Sequence, residues 1–459
     1  MTWTVFRTIS KCYLYDRNIN SVVEIPESDY RPLNSDHITE DLLRKYRKNG
    51  LLENSILQEI RHGFTDFIED YLEERMEQLV LQVTQQCNLR CEYCTYTDNE
   101  RYNNRTHSNK FMSFYTAKRG IDFLMSHSKH LQKVMVGFYG GEPLLAIDLI
   151  QQVIAYIEKN FPEKNVSYAM TTNGTLLNKE IVDYLVEKDI ILTVSLDGPK
   201  ELHDHYRKFR DGKGSFDIIM KNLYQLEQLY PDYFRKCQTN TVLTPDKDAG
   251  CTKSFLLNES VVSCANSKIS LLSDAGATKP FQPYDEQVLV TQRKNEVMQL
   301  LAATAEMPYS SNFSLFGNIL QELERISFCL TLGPVNYRAG HPDGPCLAGS
   351  KRAFLDIDGT FYPCEKVSEI PELSIGSLEG FDIAKIQRLL NISQGTEKEC
   401  RQCWAFLFCG QCVASMLDAK GVSDKKRLSK CDNTRSTTRE LLISFMALKE
   451  NKVCFDNYT

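Results

Sequence analysis

The stretch Cys87-Asn88-Leu89-Arg90-Cys91-Glu92-Tyr93-Cys94 constrains this chain more than any other. Its C-x3-C-x2-C spacing puts three thiols on one short loop, with an aromatic residue just before the last. Three such thiolates can hold three irons of a cubane [4Fe–4S] cluster. Iron–sulfur clusters are normally held by four cysteines, so a triad leaves one iron open to a substrate or cofactor. The run just upstream, Leu79-Val80-Leu81-Gln82-Val83-Thr84, reads as a β-strand. The cysteine loop then sits at the C-terminal end of a strand, where barrels and α/β sheets carry their active sites. The competing reading is a zinc site, but such sites usually pair two C-x2-C knuckles.

Strand-like runs at 79–84, 134–139, 166–172, 190–196 and 239–243 alternate with helical patterns such as 149–160, 179–188 and 216–229. That alternation predicts parallel strands covered by helices, and about six such units make an open, partial barrel. The span 246–290 is rich in Ser, Asn and Asp and reads as loops around a closing strand near 269–272. Cys237, Cys251 and Cys264 have no ligand spacing and read as ordinary thiols; Cys12 and Cys454 look incidental. At 459 residues the chain has room for two to four domains. Its 42% hydrophobic and 25% charged residues are ordinary for a soluble globular protein. A net charge of −6 gives no general attraction to nucleic acid. Neither a signal core nor a membrane-length apolar run is visible. Sixteen cysteines without a secretion signal predict a reducing, cytoplasmic setting in which cysteine clusters bind metal.

Three further motifs fall at the ends of successive strands. Phe138-Tyr139-Gly140-Gly141-Glu142-Pro143 ends the second, with glycines for close backbone approach and a carboxylate able to take charge-assisted hydrogen bonds. Thr171-Thr172-Asn173-Gly174 ends the third, and Ser195-Leu196-Asp197-Gly198-Pro199 the fourth. Each alone is a turn with capping residues. Together with the cysteine triad they resemble the radical S-adenosylmethionine (radical SAM) superfamily. The resemblance implies an α/β partial (β/α)6 barrel whose cluster is held by Cys87, Cys91 and Cys94. It implies S-adenosylmethionine bound by Tyr93 near the adenine and by Gly140, Gly141 and Glu142 at the amino group. Thr172, Asn173, Ser195 and Asp197 would take its ribose and carboxylate, with Ser195 the carboxylate ligand and Arg207 its partner.

Seven more cysteines lie between 346 and 431. Cys346 precedes Gly359 by a 12-residue gap, Cys364 follows in a G-x4-C pattern, and then come Cys400-x2-Cys403-x5-Cys409-x2-Cys412 and Cys431. This resembles the SPASM auxiliary-cluster module of radical SAM enzymes that modify peptides, although the family pattern has three residues in the last gap. The resemblance implies interleaved ligation. Cys400, Cys403, Cys409 and Cys431 would hold auxiliary cluster II, and Cys346, Cys364 and Cys412 cluster I, which is then one ligand short. Cys329 is the nearest upstream cysteine and the candidate to close it. In all, three [4Fe–4S] clusters are expected. The rival reading for the two C-x2-C pairs is a zinc ribbon.

Residues 1–77 read as a separate small domain. A strand near 3–10 and a hairpin around Arg17-Asn18-Ile19-Asn20 precede a helix over 38–47, with Asp36 as cap and Gly50 as stop. Two more helices are expected near 55–62 and 65–77. Three strands followed by three helices resemble the winged-helix-like RiPP recognition element of peptide-modifying enzymes. The expected organisation is therefore a leader-binding domain at 1–77, a barrel at 78–310, a bridging region at 311–345 and the cysteine-rich SPASM domain at 346–459. The resemblance implies a maturase that acts on a ribosomal precursor peptide and draws electrons from an external donor such as flavodoxin or ferredoxin. The expected product is a thioether from a substrate cysteine to an α- or β-carbon. Carbon–carbon crosslinking, sulfatase-maturase-like protein modification and a non-catalytic iron–sulfur peptide scaffold are the alternatives.

Overall fold

A computed structural model of the chain describes residues 1–35, 37–94, 96, 107–245, 249–263, 265–274, 284–304, 308, 315–333 and 338–453. The chain opens with an antiparallel meander of β1 (Trp3–Arg7), β2 (Cys12–Asp16) and β3 (Ser21–Ile25). Strand alternation divides its side chains between two cores. Trp3, Val5, Leu14 and Ile25 pack on Leu33, Tyr46, Leu51 and Leu52. Phe6, Tyr13 and Tyr15 face the other way and pack on Trp404, Phe408, Leu442 and Phe445 near the C-terminus.

Two helices complete the small unit, Glu27–Leu33 and Glu40–Arg47. The first was not legible in the sequence. The second is capped by Thr39, whose side chain accepts from the Leu42 amide; Asp36, the expected cap, lies outside the described residues. Gly50, at φ +73°, ends the segment as expected. The helix expected at 55–62 does not form, and β4 (Glu59–Ile60) stands there instead. The last helix is shorter than expected, Ile68–Glu74.

The central sheet follows with β5 (Gln78–Thr84), β6 (Lys133–Gly140), β7 (Asn165–Thr172), β8 (Ile191–Ser195), β9 (Gln238–Leu243) and β10 (Asn266–Leu271). These strands lie side by side in chain order and all run parallel. Helices Phe114–Ser126, Ile147–Asn160, Lys179–Glu187 and Phe216–Leu229 connect them. Parallel strands with covering helices are buried on both faces, and β5 is buried almost throughout, its Gln82 and Thr84 included. In the span expected to be loops, helix Ala249–Asn258 precedes the closing strand β10.

The C-terminal region joins the same sheet. β11 (Ala339–Gly340) pairs in parallel with β4, and this distant partner explains why 55–62 is not helical. β12 (Ala353–Leu355) adds in parallel to the free side of β5. β13 (Thr360–Tyr362), β14 (Gly376–Ser377) and β15 (Gly380–Phe381) continue the sheet antiparallel. The last helix, Cys431–Glu450, packs with Ile319–Thr331 behind the N-terminal meander. Residues 53–77 belong with this region rather than with the small N-terminal unit. Leu57 and Ile60 pack on Cys400, Phe406 and Leu407, while Ile68, Leu72 and Met76 enter the main core. Among the described residues no helix is long and apolar enough to cross a membrane.

Candidate active site

The C-terminal ends of the parallel strands are fastened to one another before any side chain enters a site. The Gly141 amide donates to the Thr84 carbonyl at 2.9 Å, and the Glu142 amide to the Gln86 carbonyl at 2.9 Å. A Cβ on Gly140 would run into the Thr84 carbonyl, and one on Gly141 into that of Gln86. Gly140 also holds φ +141°, which disfavours any other residue. This contact fixes where the chain leaves β5 and so aims the cysteine loop across the strand ends.

Glu142 does not take the place expected of it. Its carboxylate is buried and accepts from Thr172 Oγ1 at 2.6 Å, the Asn173 amide at 2.7 Å and the Leu144 amide at 3.1 Å. Burial raises its pKa despite those three donors. Its work in this structure is to tie the end of β6 to the end of β7, and the hydroxyl of Thr172 is spent on the same bond. Tyr139, Gly140 and Gly141 are what that motif presents to the cavity.

Cys87, Cys91 and Cys94 share the wall of one cavity. Burial pushes the Cys87 thiol well up, reinforced by Glu142 and the other two cysteines. Cys91 is pushed up to about 12 by burial, against the pull of Arg207. A neighbouring cation favours the thiolate form, and three cysteines on one loop suit the irons of a cluster. Neighbouring side chains hold the loop in place. Asn173 Nδ2 donates to Asn88 Oδ1 at 2.8 Å and lies 3.9 Å from Cys87 Sγ. Arg207 Nη1 stands 4.0 Å from Cys91 Sγ.

Asp197 also departs from its expected role. It is fully buried, and Tyr93 donates its hydroxyl proton to Oδ2. Arg207 Nε lies 3.1 Å from the same oxygen, and Oδ1 accepts from the Val242 amide at 3.0 Å. Nε makes no aligned hydrogen bond, so the Arg207–Asp197 contact is an ion pair by proximity. The guanidinium also lies 5.3 Å above the Tyr93 ring. Burial opposes the charge of Arg207, but Asp197, Tyr93 and Cys91 outweigh it and raise its pKa. Asp197 thus lies behind the cavity as the anchor of Tyr93 and Arg207, both of which line it.

The cavity measures about 300 Å³ and is also lined by Thr171, Thr172, Asn173 and Ser195. Sequence reasoning missed several of its residues, among them Tyr96, Asn240, Val242 and the segment Leu271-Leu272-Ser273. A signal existed for Asn240, because Gln238-Thr239-Asn240-Thr241-Val242 alternates and places it on the half-buried face of β9. The donor set fits a cubane with one open iron. The cavity, with Arg207 and strand-end polar groups on its wall, fits a zwitterionic nucleoside beside it.

The seven C-terminal cysteines fall into two groups. Cys400, Cys403, Cys409 and Cys431 line one small cavity together with Arg427 and Arg435. Cys412 helps to raise the thiols of both Cys346 and Cys364, and Cys346 helps to raise that of Cys364. Cys412 reaches Cys346 because Gly344 packs against the Gln411 backbone so closely that a Cβ would not fit. Cys329 belongs to an apolar cluster against which Cys403 also packs. Cys329 is buried there beside the Leu407 carbonyl, with Sγ 3.8 Å away, under the N-terminal sheet. Burial leaves Cys237 an ordinary core thiol, Cys251 is exposed, and Cys264 and Cys454 lie outside the described residues. Among the described residues no three His, Cys, Asp or Glu side chains converge tightly enough for a single metal ion. A cubane needs wider spacing than that, because each thiolate binds a different iron.

The sequence profile described as the Radical SAM superfamily matches residues 81–251. An uncharacterised protein of Methanocaldococcus jannaschii is 38% identical over 144 residues, 31% of this chain and 46% of that protein. A cysteine-type anaerobic sulfatase-maturating enzyme of Clostridium novyi is 36% identical over 33% of this chain and 40% of its own length. A radical SAM cyclopropyl synthase, TigE, of Paramaledivibacter caminithermalis is 28% identical over 32% of this chain and 31% of its own. The matches thus span less than half the length of these curated relatives. Among solved structures, anSMEcpe with bound AdoMet superposes with a TM-score of 0.59 at 17% identity, over 81% of this chain and 99% of that one. The same protein with AdoMet and the Cp18Cys peptide gives a TM-score of 0.58 at 16% identity, again over 81% and 99%. That likeness is one of fold. Residues 81–251 match the radical SAM domain, and such a domain implies S-adenosylmethionine and a [4Fe–4S] cluster as its cofactors.

Proposed function

We propose that this chain is a cytoplasmic radical SAM–SPASM maturase that forms thioether crosslinks in a ribosomal precursor peptide. Cys87, Cys91 and Cys94 hold the catalytic cluster. When bound, that cluster and S-adenosylmethionine supply the radical chemistry that removes a hydrogen atom from an unactivated carbon. The protein's part is positional. Gly140 and Gly141 let the cofactor approach the backbone, Tyr93 and Arg207 form one wall of its cavity, and Ser195 and Asn173 offer polar contacts at the strand ends. Asp197 and Glu142 hold those groups from behind.

The observation that carries the thioether reading is the unequal division of seven cysteines into four and three. The group of four closes an auxiliary cluster. The group of three leaves one iron available to a soft donor such as a substrate thiolate, which would fix that sulfur within reach of a carbon radical. The leader segment would add to the exposed edge of β3, where backbone pairing gives affinity. A reduced flavodoxin or ferredoxin supplies electrons. Incubation with S-adenosylmethionine, reductant and the precursor should remove a pair of hydrogen atoms from the peptide per crosslink, by mass spectrometry. A Cys→Ser precursor should stay unmodified; modification of that peptide would overturn the thioether reading.

Sulfatase-maturase-like modification of a folded protein is the second reading, favoured by the relatives bearing that name. It calls for an eighth cysteine to close the group of three, and Cys329 is buried in the apolar cluster against which Cys403 packs.

A further inference from the structure

We propose that the Glu365 carboxylate is the fourth protein ligand of the cluster held by Cys346, Cys364 and Cys412. The inference rests on reading those three cysteines as cluster ligands. Glu365 follows Cys364 directly, so its backbone is already at the site. One carboxylate oxygen is accounted for, since Oε1 accepts from Arg352 Nη1 at 2.7 Å. Arg352 is itself held at the start of β5, where its Nε donates to Gln78 Oε1 at 3.0 Å. The other oxygen, Oε2, is buried and meets no donor. A buried acceptor left without a donor is costly, so this oxygen calls for a partner.

An ordinary ion pair with Arg352 explains Oε1 and leaves Oε2 without a purpose. The carboxylate side chain is only 16% exposed. Glu365 lies close enough to Cys346 and Cys364 for its carboxylate to raise both thiols. A site with three thiolates and one buried, unpaired carboxylate oxygen has the donor set of a four-ligand cubane. Carboxylate is an established donor to iron in proteins. It is a harder ligand than thiolate, so a substrate sulfur can replace it, and the site stays compatible with the proposed reaction.

The test uses the full chain with Cys87, Cys91 and Cys94 changed to Ala, so that only auxiliary clusters contribute. Glu365→Ala and Glu365→Cys are added separately, clusters are reconstituted anaerobically, and Mössbauer and EPR spectra are followed through mild oxidation. The parent should keep its cubane. Glu365→Ala should shed one iron and show a [3Fe–4S] signal. Glu365→Cys should restore the cubane and shift its potential downward. A Glu365→Cys spectrum and potential identical to the parent overturns the assignment, whatever Glu365→Ala does. Cys346→Ala in the same background separates the two levels of the argument. If it loses no iron, the cluster reading of the three cysteines falls. If it loses about one cubane while the Glu365 variants match the parent, only the Glu365 assignment falls.

Discussion

Arg17 is among the largest fully buried side chains in the protein. From the turn after β2 its Nη1 donates to the carbonyls of Arg401 at 2.9 Å and Cys403 at 3.1 Å, and Nη2 to Ser55 Oγ at 2.5 Å. Its guanidinium also lies 5.5 Å over the Phe406 ring. A residue of the first strand pair thus braces the loop that carries Cys400 and Cys403. Arg17→Met should deprive the half-buried Arg401 and Cys403 carbonyls of their donor and cost about 1–3 kcal/mol, measurable as a lower denaturant midpoint. It should also loosen the four-cysteine group, so iron content after gel filtration should fall. At the barrel top, Gly140→Ala drives a Cβ into the Thr84 carbonyl at a positive φ. Overpacking of this kind costs about 1–3 kcal/mol or more, and because the clash moves the cysteine loop, S-adenosylmethionine binding by calorimetry should weaken further than stability does.

Among the elements, β3 is the exposed edge of the N-terminal meander, while β1 is buried along most of its length. If a leader strand adds there, amide hydrogen exchange at 21–25 should slow with full-length precursor and not with a leaderless peptide. Equal protection by both would exclude that docking mode. Deleting 1–77 would be a poor test, because Ile68, Leu72 and Met76 belong to the main core. The parallel strands were legible in the sequence because each is a local apolar run flanked by a helical pattern. Strand β4 was not, because its partner β11 lies far along the chain and supplies the pairing that 55–62 lacks by itself. The cysteine loop was legible from spacing alone. The hydrogen bonds by which Glu142 and Asp197 hold neighbouring segments were not legible, because composition names a carboxylate but not its direction.

Over the whole molecule, one sheet runs from the parallel strands into the cysteine-rich C-terminal region through the pairing of β5 with β12. Inside the barrel Gln82 Nε2 donates to Glu369 Oε1 at 2.6 Å and to the Tyr96 hydroxyl at 3.0 Å, linking the two regions again. At the cavity rim, Asp274 accepts from Lys426 at 2.5 Å and Lys430 at 2.8 Å, so the end of β10 is clasped to the helix Asp424–Ser429. In the proposed function Cys87, Cys91 and Cys94, which share the wall of one cavity, start the chemistry. The most direct test is 5′-deoxyadenosine formation under anaerobic, reducing conditions by the Cys87→Ala/Cys91→Ala/Cys94→Ala enzyme. The account predicts no 5′-deoxyadenosine and an iron content lower by about one cubane, with the auxiliary clusters kept. Cleavage of S-adenosylmethionine at the parent's rate by that variant would contradict it.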